Sequence, residues 1–402
     1  MAGNQRQRQR EPRQEHELQG WSMLERFVQV LEQVGPQMVA GSREDHGLRT
    51  LDRRAYFGLF LLGLFNPVIS SMRALCATSA LPRVQQLMGH GTVGLSRFSE
   101  AQEVFSPEIL QPVLAQLLRD SALREIISTQ FGRVSAQTIR IVDSTVWKVI
   151  PRMRWAQWRH QHVEQKALRL HVKLRLADLQ PTSAIVTTGK TCERVVLRAS
   201  AQAGEFYIGD RYYGGDYTAF AQLRAQGCGF VLRVRNNALR QVLEERSLSA
   251  GARQQGVQLD ARVTLGKDGD QGPWRMVVFQ RPTMKEQVIL IVSQECDELS
   301  AEEVMELYRH RWQVEMFFRW LKCLVPCRHW LAHSQQGVTL QVYLVLIEAL
   351  LLAELTGEKP NKRMMELLQL HQMGWASDAD LAAGLAREQA LRTKRTAAKK
   401  ST

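Results

Sequence analysis

The sequence predicts an α/β core set between two helical regions, and three observations carry that prediction. Apolar residues recur at every third and fourth position in stretches between residues 21 and 135. The period drops to two at residue 138, where β-branched residues begin to alternate with polar ones. A helix start with its own capping residues, Ser300-Ala-Glu-Glu303, follows the last strand-like run. The 402 residues are 45% hydrophobic, which excludes a largely disordered chain and allows two or three domains with cores.

Residues 1–20 are polar and rich in Gln and Arg, so a disordered basic tail is expected there. Helical periodicity follows in Trp21 to Leu31 and in Pro107 to Leu118. Between them, Pro82 to Met88, then Gly89-His-Gly, then Ser96 to Ala101 resembles a helix–turn–helix, because a glycine-containing turn joins two short helices. A plain helical hairpin fits equally well. Residues 21–135 are therefore expected to be a helical DNA-binding domain. In the apolar run 55–65, Gly58 and Gly63 point to close helix packing.

Strands are expected in Thr138 to Val146, ending near Asp143, at Leu168 to Leu176, at Ser183 to Thr188, and at Phe206 to Asp210. A helix over Tyr217 to Gln226, closed by Gly227, precedes a strand at Phe230 to Arg235. Residues 236–285 look like inserted β-structure, with strands at Val257 to Val263 and Trp274 to Gln280 around a Gly-Lys-Asp-Gly-Asp turn. Val288 to Ser293 is a buried strand, and the capped helix runs from Ser300 to about Lys322. The core is thus expected over 136–235 and 286–335. Leu340 to Leu355 carries Glu348 and Glu354, so it reads as a buried helix of a C-terminal helical region, 336–385, rather than a membrane span. Residues 386–402 are expected to be a basic disordered tail.

The net charge of +13 is concentrated. Residues 140–175 hold nine Lys and Arg against Asp143 and Glu164, with Trp147, Trp155 and Trp158 among them. Such a surplus suits a phosphate backbone. The N-terminus has no apolar stretch behind its charges, so no signal peptide is expected. Six scattered cysteines suit a reducing compartment, so the expected location is cytoplasmic.

Asp143 and Asp210 are each expected at the end of a strand. The helix after Ser300 carries Tyr308, Arg311, Glu315 and Lys322. At about 100° per residue these four project within about 60° of one another. One reading is surface ion pairs such as Arg311 with Glu315. The other is a metal-ligating carboxylate flanked by phosphate-binding groups.

Tyr308-x2-Arg311-x3-Glu315-x6-Lys322 matches a signature of bacterial insertion-sequence transposases, and the chain resembles the insertion sequence four family of DDE type. Asp143-Ser-Thr resembles the family's first aspartate motif and Asp210-Arg-Tyr-Tyr its second. The position after Asp143 is Ser where Gly is also common. The resemblance runs from about Leu95 to residue 355. It implies an RNase H-like core, a mixed sheet flanked by helices, with Asp143, Asp210 and Glu315 as catalytic metal ligands for two Mg²⁺ or Mn²⁺ ions. Phosphoryl transfer between such paired cations needs only hard oxygen ligands. The resemblance further implies double-stranded DNA as partner, both element ends and target, and a homodimer on paired ends. It gives Arg311 and Lys322 to DNA phosphates and Tyr308 to the scissile strand. The 104 residues between Asp210 and Glu315 leave room for the family's β-insertion at 236–285.

Trp274 follows Gly272-Pro273 and precedes Arg275 in that insertion. It is expected to receive an unstacked base if the second strand is cut through a hairpin; packing of the insertion is the alternative. Cys323-x3-Cys327-x-His329-x3-His333 has four zinc-type ligands at unsuitable spacing, and His160-x-His162 falls on the basic face. An RNase H-like nuclease that cuts without joining, and a DNA-binding remnant, are the rival readings.

Overall fold

The computed structural model describes residues 19–37, 44, 46, 49–66, 68–120, 130–149, 152–160, 163–267, 271–282, 284–324, 330–356 and 361–400. The expected tail before residue 19 lies outside them. Six helices lead: α1 (Gln19–Val34), α2 (Arg53–Phe65), α3 (Met72–Thr78), α4 (Pro82–Met88), α5 (Leu95–Val104) and α6 (Leu110–Asp120). Strands follow as β1 (Gln130–Phe131), β2 (Val134–Ser135), β3 (Ile139–Lys148), β4 (Gln157–His160), β5 (Val163–Arg175) and β6 (Pro181–Thr188). Helix α7 (Glu193–Ser200), β7 (Phe206–Gly209), α8 (Thr218–Ala225) and β8 (Gly229–Val234) come next. Then run β9 (Arg240–Glu245), α9 (Ala250–Gln254), β10 (Val257–Leu265), β11 (Gln271–Phe279) and β12 (Val288–Val292). Helices α10 (Ala301–Arg309), α11 (Trp312–Leu324), α12 (Gln335–Thr356), α13 (Lys362–Gln372) and α14 (Asp378–Lys400) end the described chain.

The chain divides into two compact units, Arg124–Lys322, and Met1–Leu123 with Cys323–Thr402. The N- and C-terminal helical regions, separate in the sequence, therefore form one unit. Its centre is α12, buried at every residue from Leu340 to Ala353 and packed by α1, α2, α5 and α6. An aromatic cluster of Tyr56, Phe57, Phe60, Phe98 and Phe105 lies in the same unit, with ring centroids 5.0 to 6.0 Å apart. At Gly58 helix α2 passes α4 so closely that a Cβ would meet the Met88 sulfur at 2.4 Å. Helix α14 runs through the segment expected to be a disordered tail. Its Ala, Leu, Arg, Lys and Gln are all strong helix formers, and their propensity outweighs the charge surplus.

In the other unit ten strands form one sheet in the order β4-β5-β3-β7-β8-β12-β11-β10-β9, with β6 also on β5. Strand β5 is antiparallel to both β3 and β6, and β7 and β8 run parallel to β3. That is the RNase H-like arrangement. The parallel connections need crossovers, which α7 and α8 supply. Strand β12 pairs antiparallel with β8 as part of the core, and β11, β10 and β9 of the 236–285 segment follow it, so that segment widens the same sheet.

Three expectations are corrected. Asp143 lies inside β3 rather than at its end, because β5 pairs with β3 as far as Lys148. Its parallel pairing with β7, however, stops at Ile141 opposite Ile208. Trp274 is not open to an unstacked base; the packing alternative holds. It sits in β11 at 3% exposure, 5.7 Å from the rings of Phe220 and Phe230, because its side chain faces α8 on the apolar side of the sheet. The single helix expected from Ser300 to Lys322 is two. The N–H groups of His310 and Arg311 reach back three residues, to Leu307 O at 3.3 Å and Tyr308 O at 3.0 Å, and Gln313 and Val314 repeat the pattern. The capping box at Ser300 is formed as read, with Glu303 Oε2 accepting from Ser300 N at 2.7 Å.

Candidate active site

Strand register places the two aspartates. Ile139, Arg140 and Ile141 of β3 face Phe206, Tyr207 and Ile208 of β7. Continuing that register two residues brings Asp143 level with Asp210, on the face that Ile141 and Ile208 share. Here the strands part, and the side chains are no longer covered by a neighbouring strand. Asp210 Oδ1 accepts from Tyr212 N at 2.9 Å and Asp143 Oδ1 from Ser144 N at 2.7 Å, so each carboxylate is held by a backbone N–H of its own segment. Burial, with the like charges of Asp210 and Glu193, pushes the Asp143 carboxyl up to about 7 against the pull of the Ser144 N–H and Arg311.

The α10–α11 junction supplies the other residues. Consecutive three-residue turns nearly eclipse positions i and i+3, so Tyr308 and Arg311 stand over each other. Arg311 Nη2 then donates to Glu315 Oε1 at 2.5 Å across one turn of α11. A pocket of about 480 Å³ is lined by Asp210, Tyr308, Arg311 and Glu315 together with Arg211, Arg233, Arg281 and Trp312. Asp143 lines a neighbouring cleft of about 20 Å³ with Glu193, His171 and Tyr213. Burial lowers the Arg311 value, but Tyr308, Glu315 and Asp143 together raise it above the ordinary guanidinium range. Burial pushes the Tyr308 phenol up to about 12 against the pull of Arg311 and Arg233. Tyr308 is 8% exposed, so it is a wall of the pocket rather than a free surface group. Lys322 is exposed two turns beyond Glu315 on about the same helix face.

The structure thus gathers Asp210, Glu315, Tyr308 and Arg311, sets Asp143 beside them, and removes Trp274. Among the described residues no three His, Cys, Asp or Glu stand close enough to hold a metal ion. Glu315 is engaged with Arg311 instead. The donor set still suits a hard divalent cation: three carboxylates, one of which, Asp143, burial and then like charge push up to about 7. Cys327, His329 and His162 lie outside the described residues, as do the side chains of Cys323 and His160.

Sequence reasoning missed Glu193, Arg169, Arg233 and Trp312. Arg233 carried a signal, a lone charge within the apolar run Phe230-Val-Leu-Arg-Val. Trp312, 51% exposed at the start of α11, adjoins the signature residue Arg311. Glu193 carried no signal beyond an acidic residue in a helix's first turn.

A family model described as the transposase DDE domain matches residues 135–351. Among curated relatives, a Sinorhizobium fredii chain named as transposase y4zB is 26% identical over 234 residues, 56% of this chain and 63% of that one. A Geobacillus stearothermophilus chain named for insertion sequence element IS5377 is 26% identical over 68% of this chain and 72% of its own length. The transposase for insertion sequence element IS421 of Escherichia coli is 25% identical over 48% of this chain and 59% of its own length. Among solved structures, a piggyBac transposase in a synaptic complex with hairpin DNA aligns with a TM-score of 0.38 at 10% identity, covering 92% of this chain and 79% of that one.

Proposed function

This chain belongs to the DDE transposases of insertion sequences, and from that premise we propose that it cuts DNA at the ends of its element and joins the freed 3′-hydroxyls to target DNA. One observation carries the reading: the register that levels Asp143 with Asp210 lies beside a pocket that Asp210 and Glu315 line together with arginines. Asp143, Asp210 and Glu315 would hold two divalent cations, Mg²⁺ or Mn²⁺, whose chemistry is to activate the attacking oxygen and stabilise the leaving one. The chain's own residues do the rest. Arg211, Arg233 and Arg311 offer planar forks for backbone phosphates, and Lys322 offers a point charge beyond them. A phosphate that takes Arg311 releases Glu315 toward the aspartates. Two chains acting on paired ends form the proposed complex.

The test uses end DNA and Mg²⁺ with Asp143→Asn, Asp210→Asn and Glu315→Gln. Each removes one ligand charge at constant shape. Cleavage should fall by about a thousandfold or more, since several kcal/mol of charge stabilisation is lost, while end binding persists. A variant that still cuts near the wild-type rate loses its place in the site. Cut ends with no joined product would favour the nuclease reading.

A further inference from the structure

Glu193 opens helix α7 beside the cleft it lines with Asp143, and its side chain is 11% exposed. It is held from two directions. Arg169 of β5 pairs with it, and the same Arg169 Nη1 donates to Ser144 Oγ at 3.0 Å. Ser144 is the residue whose backbone N–H holds Asp143 at 2.7 Å. The Arg169 fork also reaches the Gly189 carbonyl at 3.3 and 3.4 Å, which fixes the turn leading into α7. From the other direction Tyr213 lines the same cleft as Glu193 and Asp143, with its phenol close to the Glu193 carboxylate. Tyr213 is 4% exposed and stands three residues after Asp210. The next residue, Gly214, presses on β8 so closely that a Cβ would stand 2.0 Å from Arg233 O. The loop bearing Asp210 is therefore clamped by backbone on one side and by Tyr213 on the other.

The geometry points to Glu193 as a positioning residue: one buried carboxylate that accepts from Arg169 under Asp143 and lies close to the Tyr213 phenol behind Asp210, and so fixes the separation of the two aspartates. A salt bridge that only stabilised the fold would have no reason to gather partners from just these two segments. Strands β3 and β7 have already parted here, so no ladder hydrogen bond sets the spacing. Charge-assisted bonds in a buried network are the strong kind, and a catalytic group displaced by about 1 Å can lose about a hundredfold in rate.

The inference rests on the reading of Asp143 and Asp210 as the reacting site, and the experiment separates the two. The full-length chain carries Glu193→Ala, Glu193→Gln, Tyr213→Phe or the Gln/Phe pair, with wild type and Asp143→Asn as references. Glu193→Ala should lower the unfolding midpoint, as loss of a buried pair does, yet stay folded with end-DNA affinity close to wild type and cut end DNA about a hundredfold more slowly. Glu193→Gln, which keeps an oxygen beside Tyr213, should recover part of the rate. Glu193→Gln with Tyr213→Phe should be less impaired than the product of the two single losses, because both act through one oxygen network. A second readout needs no cleavage: the rise in unfolding temperature on adding Mn²⁺, absent in Asp143→Asn, should shrink in Glu193→Ala. A Glu193→Ala chain that cuts at the wild-type rate overturns the inference, as does one whose loss only follows a fall in folded fraction. If that variant does not fold, Glu193→Gln and Tyr213→Phe decide on the same readouts. If wild type itself does not cut, the site reading fails, and an undiminished Mn²⁺ shift in Glu193→Ala would overturn the positioning role separately.

Discussion

The Trp274 indole is edge-on to Phe220 and tilted against Phe230, with the Arg224 guanidinium 4.8 Å from its ring. Removing it leaves a cavity in the core, so Trp274→Ala should cost about 3–5 kcal/mol in a denaturant titration. Nicking and second-strand cutting should then fall together with the folded fraction. Trp312 is the contrasting case. At 51% exposure beside Arg311 and Glu315 it packs little, so Trp312→Ala should change stability by less than about 0.5 kcal/mol. An unstacked base, if one forms, has Trp312 to rest on. Loss of second-strand cutting with nicking intact in Trp312→Ala would support that; wild-type behaviour in both steps would remove it. Arg311 and Lys322 make a third prediction. Each Ala substitution should flatten the log–log salt dependence of end binding by about one unit per lost phosphate contact. An unchanged slope for Arg311 would leave it as the helix partner of Glu315 alone. The acids and the Tyr-Arg-Glu-Lys spacing were legible in the sequence because they lie on local patterns. Glu193, Arg169 and Tyr213 were not, since their meaning comes from partners 20 or more residues away.

Helices show which element properties a local pattern conveys. The Ser300 capping box and the Gly58 contact follow from residue types within one turn or one face. The break at His310–Arg311 does not, because neither proline nor glycine marks it. Tertiary packing of Tyr308 against Arg233 accompanies the tightened turn. Helix α12 holds a different surprise. Glu348 is 4% exposed, its Oε1 has no partner among the described residues, and burial pushes it up to about 8. Below about pH 4.5 the carboxyl is neutral in both folded and unfolded chains and costs little. As pH rises toward 8 the unfolded chain releases this proton and the folded one keeps it, so stability is lost across that window. Glu348→Gln should therefore match wild type near pH 4 and exceed it by a few kcal/mol at pH 8. Chemical denaturation at both pH values decides it; equal gaps at the two would show that Glu348 ionises freely in the folded state.

At the scale of the whole molecule, the α/β core and its helical flanks were legible because the hydrophobic period changes sharply at residue 138 and again after Ser300. Two facts were not. The N- and C-terminal helices share a unit, and residues 236–285 extend the main sheet rather than standing off it. Both concern which distant segments pair, and periodicity says only that a segment has a face to bury. Strand β12 is where this matters most. All five of its residues are buried, and it pairs with β8 on one side and β11 on the other. Leu290→Asp should therefore detach β9–β11 from the core as well as destabilise it. Limited proteolysis should then cut first within 236–285, whereas uniform digestion would mean that the sheet unfolds as a whole.

The position of β12 also has a meaning in time. During synthesis β8 is complete at residue 234, but its partner on that side is not made until residue 288. At translation rates of about 5–20 residues per second, β8 spends several seconds with an apolar edge open. In that interval β10 and β11 can close on each other as a local hairpin and wait. The ribosome thus delivers the last central strand into a slot already walled on both sides. Any pause between residues 240 and 285 lengthens the exposure of an edge that another copy of the same nascent chain could occupy.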